Sequence, residues 1–249
     1  GQLDRGRVRL NELLRFPDLP TWGQWLAQPG DWVGGFDLPF GLPRELVTTL
    51  GWPTDWAACM DHYCALSRPD IRAQFKAFCD ARPVGQKFAH RACDGPAGSS
   101  PSMKWVNPPV AFMMHAGLPL LWQLKAHFPG LHDGNRQRVA LEAYPGMWAR
   151  EVLQRQSYKS DTAAKQTPER AEARGRLLVA LVQGHARWPL RLKVVDPLAE
   201  ALVQDATGDT LDAVLCMVQA AWALQQHQND HGQYGLPAFD PLEGWIVSA

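Results

Sequence analysis

A chain of 249 residues, 46% hydrophobic and 20% charged, is long enough to bury a full core and has an ordinary globular make-up. Lys plus Arg and Asp plus Glu balance at 25 each, so no global field advertises a polyanionic partner, and any nucleic-acid contact has to come from a local basic surface. The five cysteines are odd in number and include no Cys-x-x-Cys, which points to reduced thiols in a cytoplasmic setting rather than a disulfide framework.

No charged-then-apolar leader opens the sequence and no apolar run approaches ~18 residues, so the expectation is a protein that neither carries a secretion signal nor spans a membrane. Gly1–Leu3 and Val8–Phe16 flank the turn Asp4-Arg5-Gly6 and predict a hairpin. Thr21 is placed to cap a short helix over Trp22–Gln28, which Pro29-Gly30 stops. Trp32–Leu38 reads as a strand that ends in a Pro/Gly loop. Helices are predicted over Arg44–Gly51, from an N-cap at Thr54 to Ser67, and from Pro69-Asp70 with Ile71, Phe75 and Phe78 on one face. From Arg82 to Pro109 the composition shifts to Gly, Pro, Ser and scattered basic residues, a long irregular loop of the kind that tends to be functional. Val110–Phe128 returns to a helical pattern, so residues 44–129 form a mainly helical insertion between two strands.

Val139–Tyr144 is the second of these strands, and Met147–Gln154 a helix. Ser157–Pro168 is polar, basic and flexible in composition. An amphipathic helix follows over Glu169–Gly184, then a short helical turn at Leu198–Val203. Asp209–Gln226 carries Leu211, Val214, Leu215, Val218 and Trp222 at the 3.6 period. Trp245–Val247 closes the reading as a short strand.

Three acidic stations stand out. Asp37 lies among Phe36, Leu38 and Phe40, and Glu142 ends the apolar run Val139-Ala140-Leu141. A carboxylate in such company needs a metal, an Arg or Lys, or a set of hydrogen bonds. Asp209 and Asp212 open the last long helix, where one reading is an N-cap with a third-residue acid. The other is a pair on one helical face holding a divalent cation. For Asp37 and Glu142 the competing account is a structural salt bridge.

Basic residues gather in two places, Lys76, Arg82, Lys87, Arg91 and Lys104 in the insertion and Arg150 to Arg176 after the second acidic strand. Most read as solvated helix faces. Lys159, beside Tyr158 in a polar loop, is the candidate phosphate contact. Cys59, His62, Cys64, His90 and Cys93 match no common structural-zinc spacing. P-loop, dinucleotide-binding, serine-hydrolase and zincin motifs are absent.

The order and spacing of Gly35-Phe36-Asp37-Leu38-Pro39-Phe40-Gly41-Leu42-Pro43, Glu142-Ala143-Tyr144-Pro145, Tyr158-Lys159, Asp209-Thr210-Leu211-Asp212-Ala213 and Glu243-Gly244-Trp245-Ile246 resemble the domain-of-unknown-function family 429, whose members are regarded as predicted nucleases of RNase H-like fold. The resemblance implies an α/β domain: a mixed five-stranded sheet flanked by helices, with Asp37 at the end of the fourth strand, Glu142 on the fifth, and Asp209 and Asp212 on the closing helix. It further implies that these four carboxylates hold a Mg²⁺ or Mn²⁺ pair for phosphodiester hydrolysis, with Lys159 neutralising phosphate charge. RNase H-like folds also place a first catalytic Asp on a central opening strand, which this sequence does not contain. The expectation is a single domain over residues 1–249 whose first strand precedes Gly1; the alternative is a chain that lacks that central strand and a bridging metal ligand.

Three functions follow from these readings: a metal-dependent nuclease, a non-catalytic nucleic-acid or protein-binding module on the same fold, and a carbohydrate-active enzyme. The last rests on eleven Trp and paired carboxylates.

Overall fold

The computed structural model describes residues 1–185, 187–229 and 232–249. The chain is mixed α/β. Gly6, with its left-handed backbone, lets the first strand, β1 (Gln2–Asp4), turn back antiparallel onto β2 (Arg7–Arg9), as the sequence predicts. The helix α1 (Leu19–Leu26) starts earlier than expected because Asp18, not Thr21, caps it: the Asp18 carboxylate accepts the Thr21 N–H at 2.8 Å. Next comes β3 (Trp32–Phe36). The insertion is helical as predicted, with α2 (Arg44–Thr49), α3 (Trp56–Ala65) and α4 (Arg68–Asp80). A single turn, α5 (Asp94–Ala97), interrupts the long loop, and α6 (Val110–Gln123) follows it. The caps of α3 and α4 are Asp55 and Ser67.

Two strands escape the sequence reading: β4 (Ala126–His127), and β6 (Arg191–Lys193) further on. Between them lie β5 (Asn135–Glu142), α7 (Pro145–Leu153), a 3-10 turn at Ala163–Lys165 and α8 (Pro168–Gln183). The predicted turn near Leu198 is a nine-residue helix, α9 (Asp196–Gln204), with Pro197 at its start. The last helix is α10 (Asp209–Gln228). Trp245–Val247 is not a ladder strand. It contributes the Val247 N–H to the Glu142 carbonyl at 2.9 Å.

Instead of one five-stranded sheet, the described residues form two three-stranded sheets, ordered β1-β2-β6 and β3-β5-β4. In the second, β3 runs parallel to β5 with Phe36 opposite Glu142, so both acidic stations emerge at the same end of the sheet. One core joins the insertion to the second sheet, with Leu46, Tyr63, Phe75 and Met114 in the same cluster as Phe36 and Ala140. A second core packs α7, α8 and α10 through Trp148, Leu177, Leu215 and Val218. No helix among the described residues is long and apolar enough to cross a membrane.

Candidate functional site

The ends of β3 and β5, the start of α10 and the loop after α7 border a cavity of about 780 Å³, lined by Asp37, Glu142, Lys159, Asp209 and Asp212 among others. All five site residues named from sequence therefore reach one place, although their surroundings differ sharply.

The backbone of β3 lies directly on α10. A Cβ at Gly35 would collide with the carbonyl of Cys216, so glycine is required for strand and helix to approach this closely. That contact sets Asp37, two residues on, against the first turns of α10. No hydrogen-bond donor among the described residues reaches the Asp37 carboxylate, which projects into the cavity and is solvent-accessible. Crowding by protein, followed by the charge of Asp212, raises its pKa to about 7, with Lys159 opposing and Glu142 adding to the rise.

Gly208 caps α10 in a left-handed conformation, leaving Asp209 as the first helical residue rather than the cap. The cap's side-chain work falls to Asp205, which sequence reasoning missed. Its carboxylate accepts the Thr210 N–H at 2.9 Å and the Thr210 and Thr207 hydroxyls at 2.8 and 2.7 Å. Arg15 pairs with it at 2.8 Å. Burial alone would lift the Asp205 pKa, and these bonds overrule it and hold the group at about 2. The signal was present in Asp205-Ala206-Thr207-Gly208-Asp209-Thr210, an Asx-turn composition ahead of a helix.

Asp209 is exposed, its carboxylate 3.0 Å from the Thr207 hydroxyl, whose single proton the nearer Asp205 already accepts. Asp212 is buried and receives the Tyr158 hydroxyl at 2.5 Å and the Lys159 ammonium. Burial raises the Asp212 pKa, with Lys159 and Tyr158 opposing. For Lys159, burial works against the charge but Asp212 prevails and the pKa rises. Despite its composition, the loop that carries Lys159 is tied down. The buried Arg174 of α8 donates to the carbonyls of Tyr158 and Val203, both at 2.7 Å, and Arg170 donates to the Lys159 carbonyl at 3.0 Å. Lys159 also packs over Gly208, whose added Cβ would lie 2.7 Å from its own Cβ.

Glu142 is different. Its oxygens accept both terminal nitrogens of Arg91, at 2.7 and 2.8 Å, and the Phe40 N–H at 2.9 Å. Arg91 turns its remaining donors to Asp94, at 3.0 and 3.2 Å, and to the Glu243 carbonyl at 3.1 Å. Arg91 and Asp94 are thus buried structural partners rather than part of a solvated basic face. Of the basic residues counted in the sequence, Arg174 departs from that description in the same way.

The donor set bears on a divalent cation as follows. Among the described residues no three His, Cys, Asp or Glu side chains are grouped to hold a metal, and Glu142 already has a guanidinium. The carboxylates that could hold a hydrated Mg²⁺ are Asp37, with no donor, and Asp212, held by a half-exposed ammonium, since that ion commonly uses one or two carboxylates and keeps several waters. The cysteines near His62 are free thiols in helices or their flanks, with no zinc cluster among the described residues. No family model matches the chain, and neither a curated protein nor a solved structure does.

Proposed function

We propose that the chain is a Mg²⁺- or Mn²⁺-dependent nuclease of RNase H-like type, related to the domain-of-unknown-function family 429, that hydrolyses phosphodiester bonds in the cavity between β3 and α10. The observation that carries this reading is the convergence of Asp37, Lys159, Asp209 and Asp212 from three separate segments on one cavity wall, with Asp37 left without a donor and in need of positive charge. Asp37 and Asp212 would hold the cation. When bound, a divalent cation makes water a stronger acid and polarises phosphoryl oxygen. Lys159 can release Asp212 and offer its ammonium to a substrate phosphate, since its side chain is 41% exposed. Tyr158 keeps Asp212 oriented through its hydroxyl during that exchange. Trp22, Leu38, Val110 and Met113 give the cavity an apolar wall on which a base or sugar face can rest.

Cleavage of single-stranded, duplex, hybrid and branched substrates with Mg²⁺ or Mn²⁺ tests the proposal. Asp37→Asn is expected to lower the rate at least about 100-fold and Lys159→Ala about 10- to 100-fold. Cleavage that survives Asp37→Asn undiminished, or cleavage of none of these substrates, would count against it.

The saturation of Glu142 by Arg91 favours a second reading, a nucleic-acid or protein-binding module without catalysis. Binding that is indifferent to EDTA and to Asp37→Asn supports that reading.

A further inference from the structure

Building on the proposed cation site, we infer that Arg91 takes the place of a second cation: the cavity accepts one divalent ion, at Asp37 and Asp212, while Glu142 is permanently served by the guanidinium that the insertion delivers. Two acidic stations lie at adjoining strand ends, with Phe36 opposite Glu142, and each carboxylate needs positive charge from somewhere. Here the charge of Glu142 is met from within the chain.

The two stations differ in how readily their present partner can leave. Arg91 is 1% exposed and Glu142 3%. All five guanidinium N–H donors are in use, two on Glu142, two on Asp94 and one on the Glu243 carbonyl. The Phe40 N–H and the planar fork of Arg91 also fix the orientation of the Glu142 carboxylate. An ion arriving at Glu142 would have to strand a buried guanidinium next to Asp94, at the cost of its two shortest hydrogen bonds.

Asp212 presents the opposite case. Its partner is a single ammonium on a flexible stem, 41% exposed, which can turn to solvent or to a phosphate when a cation approaches. Asp37 has no partner to displace. The Glu243 carboxylate adds a further hold on the loop that carries Arg91, accepting the Ala92 N–H at 2.9 Å and the Arg44 N–H at 2.8 Å. The loop between α4 and α6 is therefore fixed to the C-terminal segment at the point where it supplies its charge. On this view the irregular stretch from Arg82 to Pro109 is a built-in source of positive charge for the end of β5.

Counting bound Mn²⁺ by electron paramagnetic resonance during titration of the full chain tests the inference. The wild type is expected to bind one ion. Glu142→Gln should also bind one, with Kd within about twofold of wild type, because Glu142 is not a ligand. Asp37→Asn should weaken binding at least about tenfold. Arg91→Gln, which leaves Glu142 at the cavity wall without its guanidinium, should bind two ions. Two ions on the wild type, a tenfold or greater loss in Glu142→Gln, or one ion on folded Arg91→Gln would overturn the inference while leaving the proposed function standing. Should Arg91→Gln fail to fold, the wild-type and Glu142→Gln stoichiometries decide alone. No bound Mn²⁺ on the wild type would overturn both.

Discussion

Glu142 and Asp37 stand opposite each other's neighbours on paired strands, yet one is saturated and the other bare. Glu142 sits behind the strand end among Arg91, Phe40 and Asp94, whereas Asp37 leans out over the start of α10 with protein behind it and open space ahead. The contrast teaches what an acid is doing at a strand end. A carboxylate whose two oxygens are both held by donors from within the chain stabilises the connection between segments. One that the fold leaves uncompensated is held at a free-energy disadvantage that a ligand can relieve.

The largest expected effect comes from breaking the saturated side. Arg91→Ala leaves Glu142 and Asp94 buried without their partner and should cost about 3–5 kcal/mol in urea unfolding. A loss below about 1 kcal/mol would mean that the pair adds little beyond what water supplies. Next in size is Asp205→Ala, at a carboxylate as saturated as Glu142 but placed at the start of the very helix that bears Asp212. Loss of the cap should cost about 1–2 kcal/mol. Because the folded state holds Asp205 at about 2, below its ordinary 3.8, its contribution is full above about pH 4 and disappears as pH falls toward 2. Stability curves of the two proteins should therefore converge across that window, and parallel curves would contradict the assignment.

The smallest effect sharpens the bare side. With its pKa raised to about 7, Asp37 binds more protons in the folded than in the unfolded chain between about pH 4 and pH 7. The metal-free wild type should then lose stability as pH rises through that range. Cavity water screens the carboxylate, so the loss should be about 1 kcal/mol. Asp37→Asn should lack this slope, and equal slopes in the two proteins would show Asp37 to be an ordinary surface acid.

Much of this arrangement was legible in the residues. The strand ends at Asp37 and Glu142, the helical insertion and the long final helix all follow from apolar periodicity and from Pro and Gly punctuation. The convergence of Asp37, Lys159, Asp209 and Asp212 was expected from motif order. What escaped was either too short or too distant. Strands of two and three residues, β4 and β6, carry no period to read. The partner of Glu142 lies 51 residues away in a loop of irregular composition, and nothing local distinguishes Arg91 from the basic residues around it. The buried Arg174 looks in sequence like any exposed helix arginine, since its role depends on the loop carbonyls that α8 happens to meet. The hairpin turn and the strand at Trp32 were found, although the second hairpin strand ends at Arg9 and does not run to Phe16. The division into two three-stranded sheets was missed, because pairing between distant segments leaves no mark on either one.

The bare contact between Gly35 and the Cys216 carbonyl has a consequence for how the molecule tolerates change. The spacing of Asp37 and Asp212 is fixed by main chain resting on main chain, with no side chain serving as a shim. Conservative swaps of core residues elsewhere should leave that spacing unaltered, and even a single methyl group at position 35 should pry the two acids apart.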